Sequence, residues 1–194
     1  MNKNEGSKLQ EIKKAAQVLK KGGVVIFPTD TVYGIGCLYD DKDAIRRIYR
    51  IKKRPPGQPF PYLVSNIKQV EKLAVVTSLS RKLMDQYWPG GLTIILPSRH
   101  PELVSGSKKI GFRMPDNQQV LSLIDRVGVP IIGTSANFHG QPSTASSTEL
   151  DPKLRQQADF VIEGKSKMGT ESTVIDTTVR PPKILRLGAV NIKI

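Results

Sequence analysis

The chain is poor in the residues that staple or metallate small proteins. It has one cysteine, Cys37, and two histidines, His100 and His139. A lone cysteine excludes an intrachain disulfide framework and points to a reducing, cytoplasmic setting. One thiol and two imidazoles are too few for a zinc cluster. No run of eighteen apolar residues occurs, so no membrane-spanning helix is expected. The opening Met1-Asn2-Lys3-Asn4-Glu5 is charged and leads into a helical pattern, unlike a secretory signal. Acidic residues are scarce as well, 17 against 30 Lys and Arg in 194 residues, a net charge of +13. A field of that sign attracts nucleotides, phosphorylated substrates or nucleic acid.

Apolar residues make up 38% and are spread along the chain, enough for a packed core and against wholesale disorder. Leu9, Ile12, Ala16 and Leu19 recur at helical spacing, and Gly22-Gly23 ends the pattern. Val24–Phe27 is a short apolar run that predicts a buried strand. Asp40–Asp43 open a second helix, with Ile45, Ile48 and Tyr49 as its inner face and Pro55-Pro56 as its stop. Strands are expected over 62–64, 92–96, 110–113, 129–132, 159–162, 172–176 and 183–187. Helices are expected over 67–73, 79–87, 118–127 and near 148–156. Helices and strands alternate early and strands dominate late. The predicted class is α/β (α+β), one twisted open mixed sheet with flanking helices, spanning residues 1–194 as one domain.

Two phosphate-binding motifs are approached and missed. Gly164-Lys165-Ser166 would need glycine at 159, which is Asp. Gly34-Ile35-Gly36 would need a third glycine at 39, which is Tyr. No Ser-His-Asp grouping stands out; His139 lies four residues from Ser135, the placement of a solvated loop histidine.

Polar groups instead collect at four strand or helix ends. Pro28-Thr29-Asp30-Thr31-Val32-Tyr33-Gly34 follows a buried strand. Arg46–Arg54 holds six cations in nine residues. Beyond the helix, Lys52 and Arg54 can point the same way, as in extended chain, and two such neighbours call for an anion. Ser135 and Asn137 offer neutral donors and acceptors around the small Ala136, though a loop knitted by its own side chains fits that pattern too. Glu171–Asp176 and Leu185-Arg186-Leu187-Gly188 complete the set.

In this order, Pro28–Gly34, Lys52-x-Arg54-Pro55, Ser135-Ala136-Asn137, Glu171–Asp176 and Leu185–Gly188 resemble the threonylcarbamoyl-AMP synthase (YrdC-like) family, from about residue 10 to about 190. The resemblance implies a short, single-domain form with a basic concave cavity. It implies synthesis of L-threonylcarbamoyl-adenylate and pyrophosphate from L-threonine, bicarbonate and ATP with Mg²⁺. A separate tRNA threonylcarbamoyl-transfer complex would take the product to adenosine 37 of tRNA. By the same resemblance, Lys52, Arg54, Ser135 and Asn137 are the catalytic set. Thr31, Arg113, Thr134 and Ser135 would hold threonine, and Lys52, Arg54, Gln58, Ser135, Asn137, Ser143, Ser172 and Arg186 would hold ATP. The metal would be held by phosphates and water rather than by a protein cage. Leu63 and Gln58 depart from the pattern of some members, where a histidine and an asparagine or lysine are expected. A non-enzymatic alternative is a double-stranded RNA or tRNA binder using the basic surface. A carbamoyl-transferring domain of the hydrogenase-maturation type would bring zinc fingers, which one cysteine cannot supply.

Overall fold

A computed structural model describes residues 3–55, 58–100 and 108–193. Its strands are β1 (Val25–Phe27), β2 (Gly34–Leu38), β3 (Tyr62–Leu63), β4 (Leu92–Pro97), β5 (Lys109–Arg113), β6 (Ile131–Ser135), β7 (Phe160–Val161), β8 (Thr173–Asp176) and β9 (Lys183–Arg186). Its helices are α1 (Lys3–Lys20), α2 (Lys42–Lys52), α3 (Ile67–Leu73), α4 (Ser78–Tyr87), α5 (Gln118–Val127) and α6 (Pro152–Gln157). The strands form one open sheet in the order β7-β1-β2-β6-β3-β5-β4-β8-β9. Pairs β1–β7, β3–β5 and β4–β8 are parallel and the rest antiparallel, so the α/β class with a mixed sheet holds.

Side chains alternate across the sheet, and the two faces build two cores. Val25, Phe27, Leu63 and Ile131 pack with Ile12, Ala15, Ala16 and Leu19 of α1 and Val120, Leu123 and Ile124 of α5. Val24, Ile26, Tyr62 and Ile132 point the other way, into a larger core with α2, α3, α4 and α6. Leu9, expected on the inner face of α1, is exposed; the stripe turns through Ala15 instead. In α2 the buried positions are Ala44, Ile48 and Ile51, with Ile45 and Tyr49 at the margins.

The α1–α5 cluster takes no residue from β4, β5 or β8. Register places Leu63 beside Arg113, Gly111 beside Ile95, and Thr93 beside Val174, all on that same face. There the sheet floors a cavity rather than a core.

Two elements differ from the sequence expectation. Residues 34–38 form β2, which no alternation of polar and apolar residues announces. It needs glycine: a Cβ on Gly36 would stand 2.0 Å from the carbonyl oxygen of Ile132 on the neighbouring strand. The strand expected at 129–132 is shifted to Ile131–Ser135, so Gly133-Thr134-Ser135 belong to the sheet. Antiparallel pairing with β2 draws them in, with Gly34 opposite Ser135.

The end of α2 also corrects an expectation. Lys52 is the last helical residue, not extended chain. Lys53 takes a left-handed conformation (φ 51), with its N–H on Arg50 O at 3.1 Å and that of Arg54 on Tyr49 O at 3.0 Å. This is a Schellman close made without glycine. It reverses the chain so that Lys52 and Arg54 meet one cavity. Pro56, half of the expected stop, lies outside the described residues.

Candidate active site

A cavity of about 580 Å³ opens on the β3–β5–β4–β8 floor, in the size range of small-molecule sites. It gathers segments far apart in sequence. Thr31, Lys52, Arg54, Gln58, Arg113, Thr134, Ser135, Asn137, Ser172 and Arg186 all line it. Leu63 lies on its floor, so that wall is apolar. Ser143 is not among the lining residues; it stands behind Glu171, donating its hydroxyl to Oε1 at 2.8 Å. Lys109, Thr93, His139 and Glu171 line the cavity although the sequence did not single them out as site residues. Of these, Glu171 had a legible signal, being a carboxylate immediately before the polar Ser172-Thr173 pair at a strand start.

Lys52 closes the wall at the end of α2. Its ammonium donates to Ser135 O, to Asn137 O at 2.7 Å and to Asn137 Oδ1 at 3.0 Å. Those bonds spend its three protons on one loop. The loop answers through the His139 N–H on Lys52 O at 2.8 Å. Asn137 extends the knot by donating Nδ2–H to Gln141 O. Burial, and then the charge of Arg54, lower the Lys52 pKa to about 8, against the pull of Glu171.

Arg54 is placed differently. Its guanidinium sits 4.9 Å from the Phe60 ring centre, and its buried Nε has no hydrogen-bond partner among the described residues. Burial lowers its pKa, only partly offset by Tyr49 and Glu171. Among the described residues it makes no ion pair. Arg46, on the exposed flank of α2, pairs with Asp43 instead and stands outside the cavity.

Arg113, in β5, is 6% exposed and braced on three sides. Nη2 bonds Asp30 Oδ1, Nη1 bonds Thr31 Oγ1 at 2.7 Å, and Nε bonds Gly90 O at 3.0 Å. Three of the fork's five N–H groups are spent, leaving two. Thr29 Oγ1 donates to Val32 O at 2.7 Å, so the 3.0 Å contact between the two threonines runs from Thr31 to Thr29. Thr31 therefore accepts from Arg113 and passes its own proton inward. Burial lowers the Arg113 pKa, opposed by Asp30, whose second carboxylate oxygen has no hydrogen-bond partner among the described residues.

At the far wall, Arg186 donates Nε–H to Ser172 O at 2.9 Å, Nη2–H to Ser172 Oγ at 3.1 Å and Nη1–H to Glu171. Ser172 Oγ also meets Thr93 Oγ1 at 2.9 Å. Gly188 makes this approach possible, because a Cβ there would stand 2.1 Å from Glu171 O. Burial pushes the Glu171 carboxyl up, but Ser143, Arg186, Ser135 and Lys52 together hold it below its ordinary value. Lys109 reaches Asp176 at 2.8 Å. Among the described residues, Lys52, Arg54, Lys109, Arg113 and Arg186 thus line the cavity with one carboxylate, Glu171.

A mixed sheet with one face covered by helices and part of the other opened into a cation-walled cavity defines an α/β protein with a basic pocket. Residues 17–188 match the Sua5/YciO/YrdC family model, described as "Telomere recombination", and the chain belongs to that family. It is 35% identical over 186 residues to a threonylcarbamoyl-AMP synthase of Bacillus subtilis, covering 93% of this chain and 54% of that protein. The crystal structure of Pyrococcus abyssi Sua5 complexed with L-threonine superposes with a TM-score of 0.87 at 36% identity, over 91% of this chain and 54% of that one. The chain therefore spans about half the length of these relatives. The crystal structure of Escherichia coli YciO matches with a TM-score of 0.84 at 31% identity, over 94% of this chain and 91% of that one.

Proposed function

We propose that the protein is an enzyme that makes L-threonylcarbamoyl-adenylate from L-threonine, bicarbonate and ATP, releasing pyrophosphate. The observation that carries this reading is the meeting, in one cavity, of the braced Arg113–Thr31 pair with the cations Lys52, Arg54 and Arg186. The P. abyssi relative bound to L-threonine supports the amino-acid half.

In the proposed reaction the two open N–H groups of Arg113 hold the threonine carboxylate as a planar fork. The threonine nitrogen condenses with bicarbonate, releasing water, and the resulting carbamate presents an oxygen to the α-phosphorus of ATP. The new P–O bond forms as the bond from the α-phosphorus to the α,β-bridging oxygen breaks, and that oxygen leaves with the electron pair as part of pyrophosphate. Little covalent work falls to the protein; positioning and charge dominate. Arg54 and Arg186 face the phosphates. Lys52 holds the Thr134–Asn137 stretch in place between the two ligands. Thr134, Ser135 and Asn137 offer neutral groups there, Ser172 lies at the nucleotide wall with Ser143 behind Glu171, and Gln58 reaches from the rim.

Mg²⁺ would enter with the triphosphate and offset its charge. Glu171 is the lining carboxylate, already taken by Ser143 and Arg186, so the donor set suits an ion held by phosphate oxygens and water. The product would pass to a tRNA threonylcarbamoyl-transfer complex in the cytoplasm. Among the described residues no helix is long and apolar enough to cross a membrane.

The test is incubation of pure protein with ATP, Mg²⁺, bicarbonate and labelled threonine. Adenylate formation with equimolar pyrophosphate is expected. Pyrophosphate release that does not depend on threonine, or none at all, would sink the proposal. A double-stranded RNA binder would show steeply salt-dependent RNA affinity and no turnover.

A further inference from the structure

The cationic wall of the free protein already holds an anion of its own. Glu171 Oε1 accepts the Ser143 hydroxyl at 2.8 Å, and Oε2 accepts from Arg186 Nη1. The Ser135 hydroxyl and the charges of Lys52 and Arg54 also favour the ionised carboxylate. A hydroxyl and a guanidinium converging on one carboxylate are donors of the kind that bind a phosphoryl group.

The Glu171 side chain is 35% exposed and faces the cavity, so it can turn out without unpacking the core. Its backbone cannot follow. The Glu171 carbonyl accepts from the Ala189 N–H at 2.8 Å, and Gly188 packs directly against it. Ser172, the next residue, is held by Thr93 and Arg186. Movement is thereby confined to the Glu171 side-chain torsions, while Arg186 is held in β9.

We propose that Glu171 is an internal counter-ion that occupies the anion seat made by Ser143 and Arg186 in the free protein and yields it to a phosphoryl group of the ligand. That the ligand is ATP rests on the function proposed above; the seat and its occupant do not. The carboxylate keeps like charges from repelling one another in the empty site, and the ligand must outcompete it.

Glu171→Gln keeps the shape and removes the charge. Calorimetric titration with inorganic triphosphate, and separately with ATP, is expected to show about tenfold tighter binding to the variant than to wild type, the worth of one charge-assisted bond. Equal or weaker binding by Glu171→Gln would overturn the proposal, the weaker case meaning that Glu171 serves the ligand. Glu171→Asp keeps the charge on a shorter arm and should fall between the two. Melting curves in sodium chloride and in sodium sulfate at matched ionic strength give a readout free of ATP. Glu171→Gln should melt lower than wild type in chloride and recover more than wild type does in sulfate. Identical responses of the two proteins would again overturn the counter-ion. If no variant binds ATP or triphosphate, the synthase function fails, and the sulfate comparison still decides the role of Glu171.

Discussion

Lys52→Met and Arg54→Ala should separate two cations that the sequence presents as a pair. Lys52 is 3% exposed and gives three hydrogen bonds to Ser135 O, Asn137 O and Asn137 Oδ1. A bond to a charged group contributes about 1.5–3 kcal/mol net. Against this stands the burial that lowers the Lys52 pKa to about 8, equivalent to about 3 kcal/mol against the charged form. Methionine fills the stem's volume but leaves three acceptors without a donor. The expected loss is about 2–5 kcal/mol, or roughly 5–15 °C in melting temperature. Among the described residues the Arg54 guanidinium is placed by the 4.9 Å contact with Phe60, and its Nε has no hydrogen-bond partner there. Arg54→Ala should cost about 0.5–1 kcal/mol of stability. Its effect should fall on chemistry, a loss of about a hundredfold to a thousandfold in threonine-dependent pyrophosphate release. Circular-dichroism melts and single-turnover pyrophosphate assays on both variants provide the check. A Lys52→Met protein that melts like wild type yet fails to bind ATP would show that the ammonium faces ligand rather than loop. An Arg54→Ala protein that melts early and turns over normally would make Arg54 structural.

Other expectations follow from the same contacts. Between about pH 8 and 10.5 the unfolded chain keeps a proton on Lys52 that the native protein has released, so this group adds stability as pH rises across that window. The stability gap between wild type and Lys52→Met should widen from pH 8 to 10; a narrowing gap in urea titrations contradicts it. Arg113→Met leaves Asp30 buried without its cation and should cost about 3–5 kcal/mol. Adding Asp30→Asn should restore part of that loss, and a double variant no more stable than the single one would refute the pairing. Gly188→Ala must push the Glu171–Ser172 backbone away, lowering both the melting temperature and nucleotide affinity; unchanged affinity by calorimetry would mean the wall adjusts. Arg46→Ala should leave turnover unchanged and stability within about 1 kcal/mol, since its pair with Asp43 is exposed.

Local chemistry was enough for much of this protein. The helical stripe through Leu123 and Ile124 and the Asn117 cap, whose Oδ1 takes the Gln119 and Val120 N–H groups, are written within one stretch, and α5 falls at 118–127 as expected. The apolar run ending at Phe27 gives β1 for the same reason. The ordered motifs gave the family, and ten of the expected site residues do line one cavity. What the tertiary structure decided depends on partners distant in sequence. Strand β2 exists because Gly36 can lie against Ile132 and pair with β1 and β6, a gain that no local pattern records. Whether Lys52 faces a ligand or a loop turns on carbonyls at 135 and 137, set beside it only when β6 docks. Arg54 and Lys52 read alike as charges in a row, yet a left-handed Lys53 sends one to a knot of acceptors and leaves the other open. Glu171 reads as one polar residue in a polar stretch; it meets the cationic wall only where Ser143 and Arg186 converge on it, because electrostatics acts across space and not along the chain.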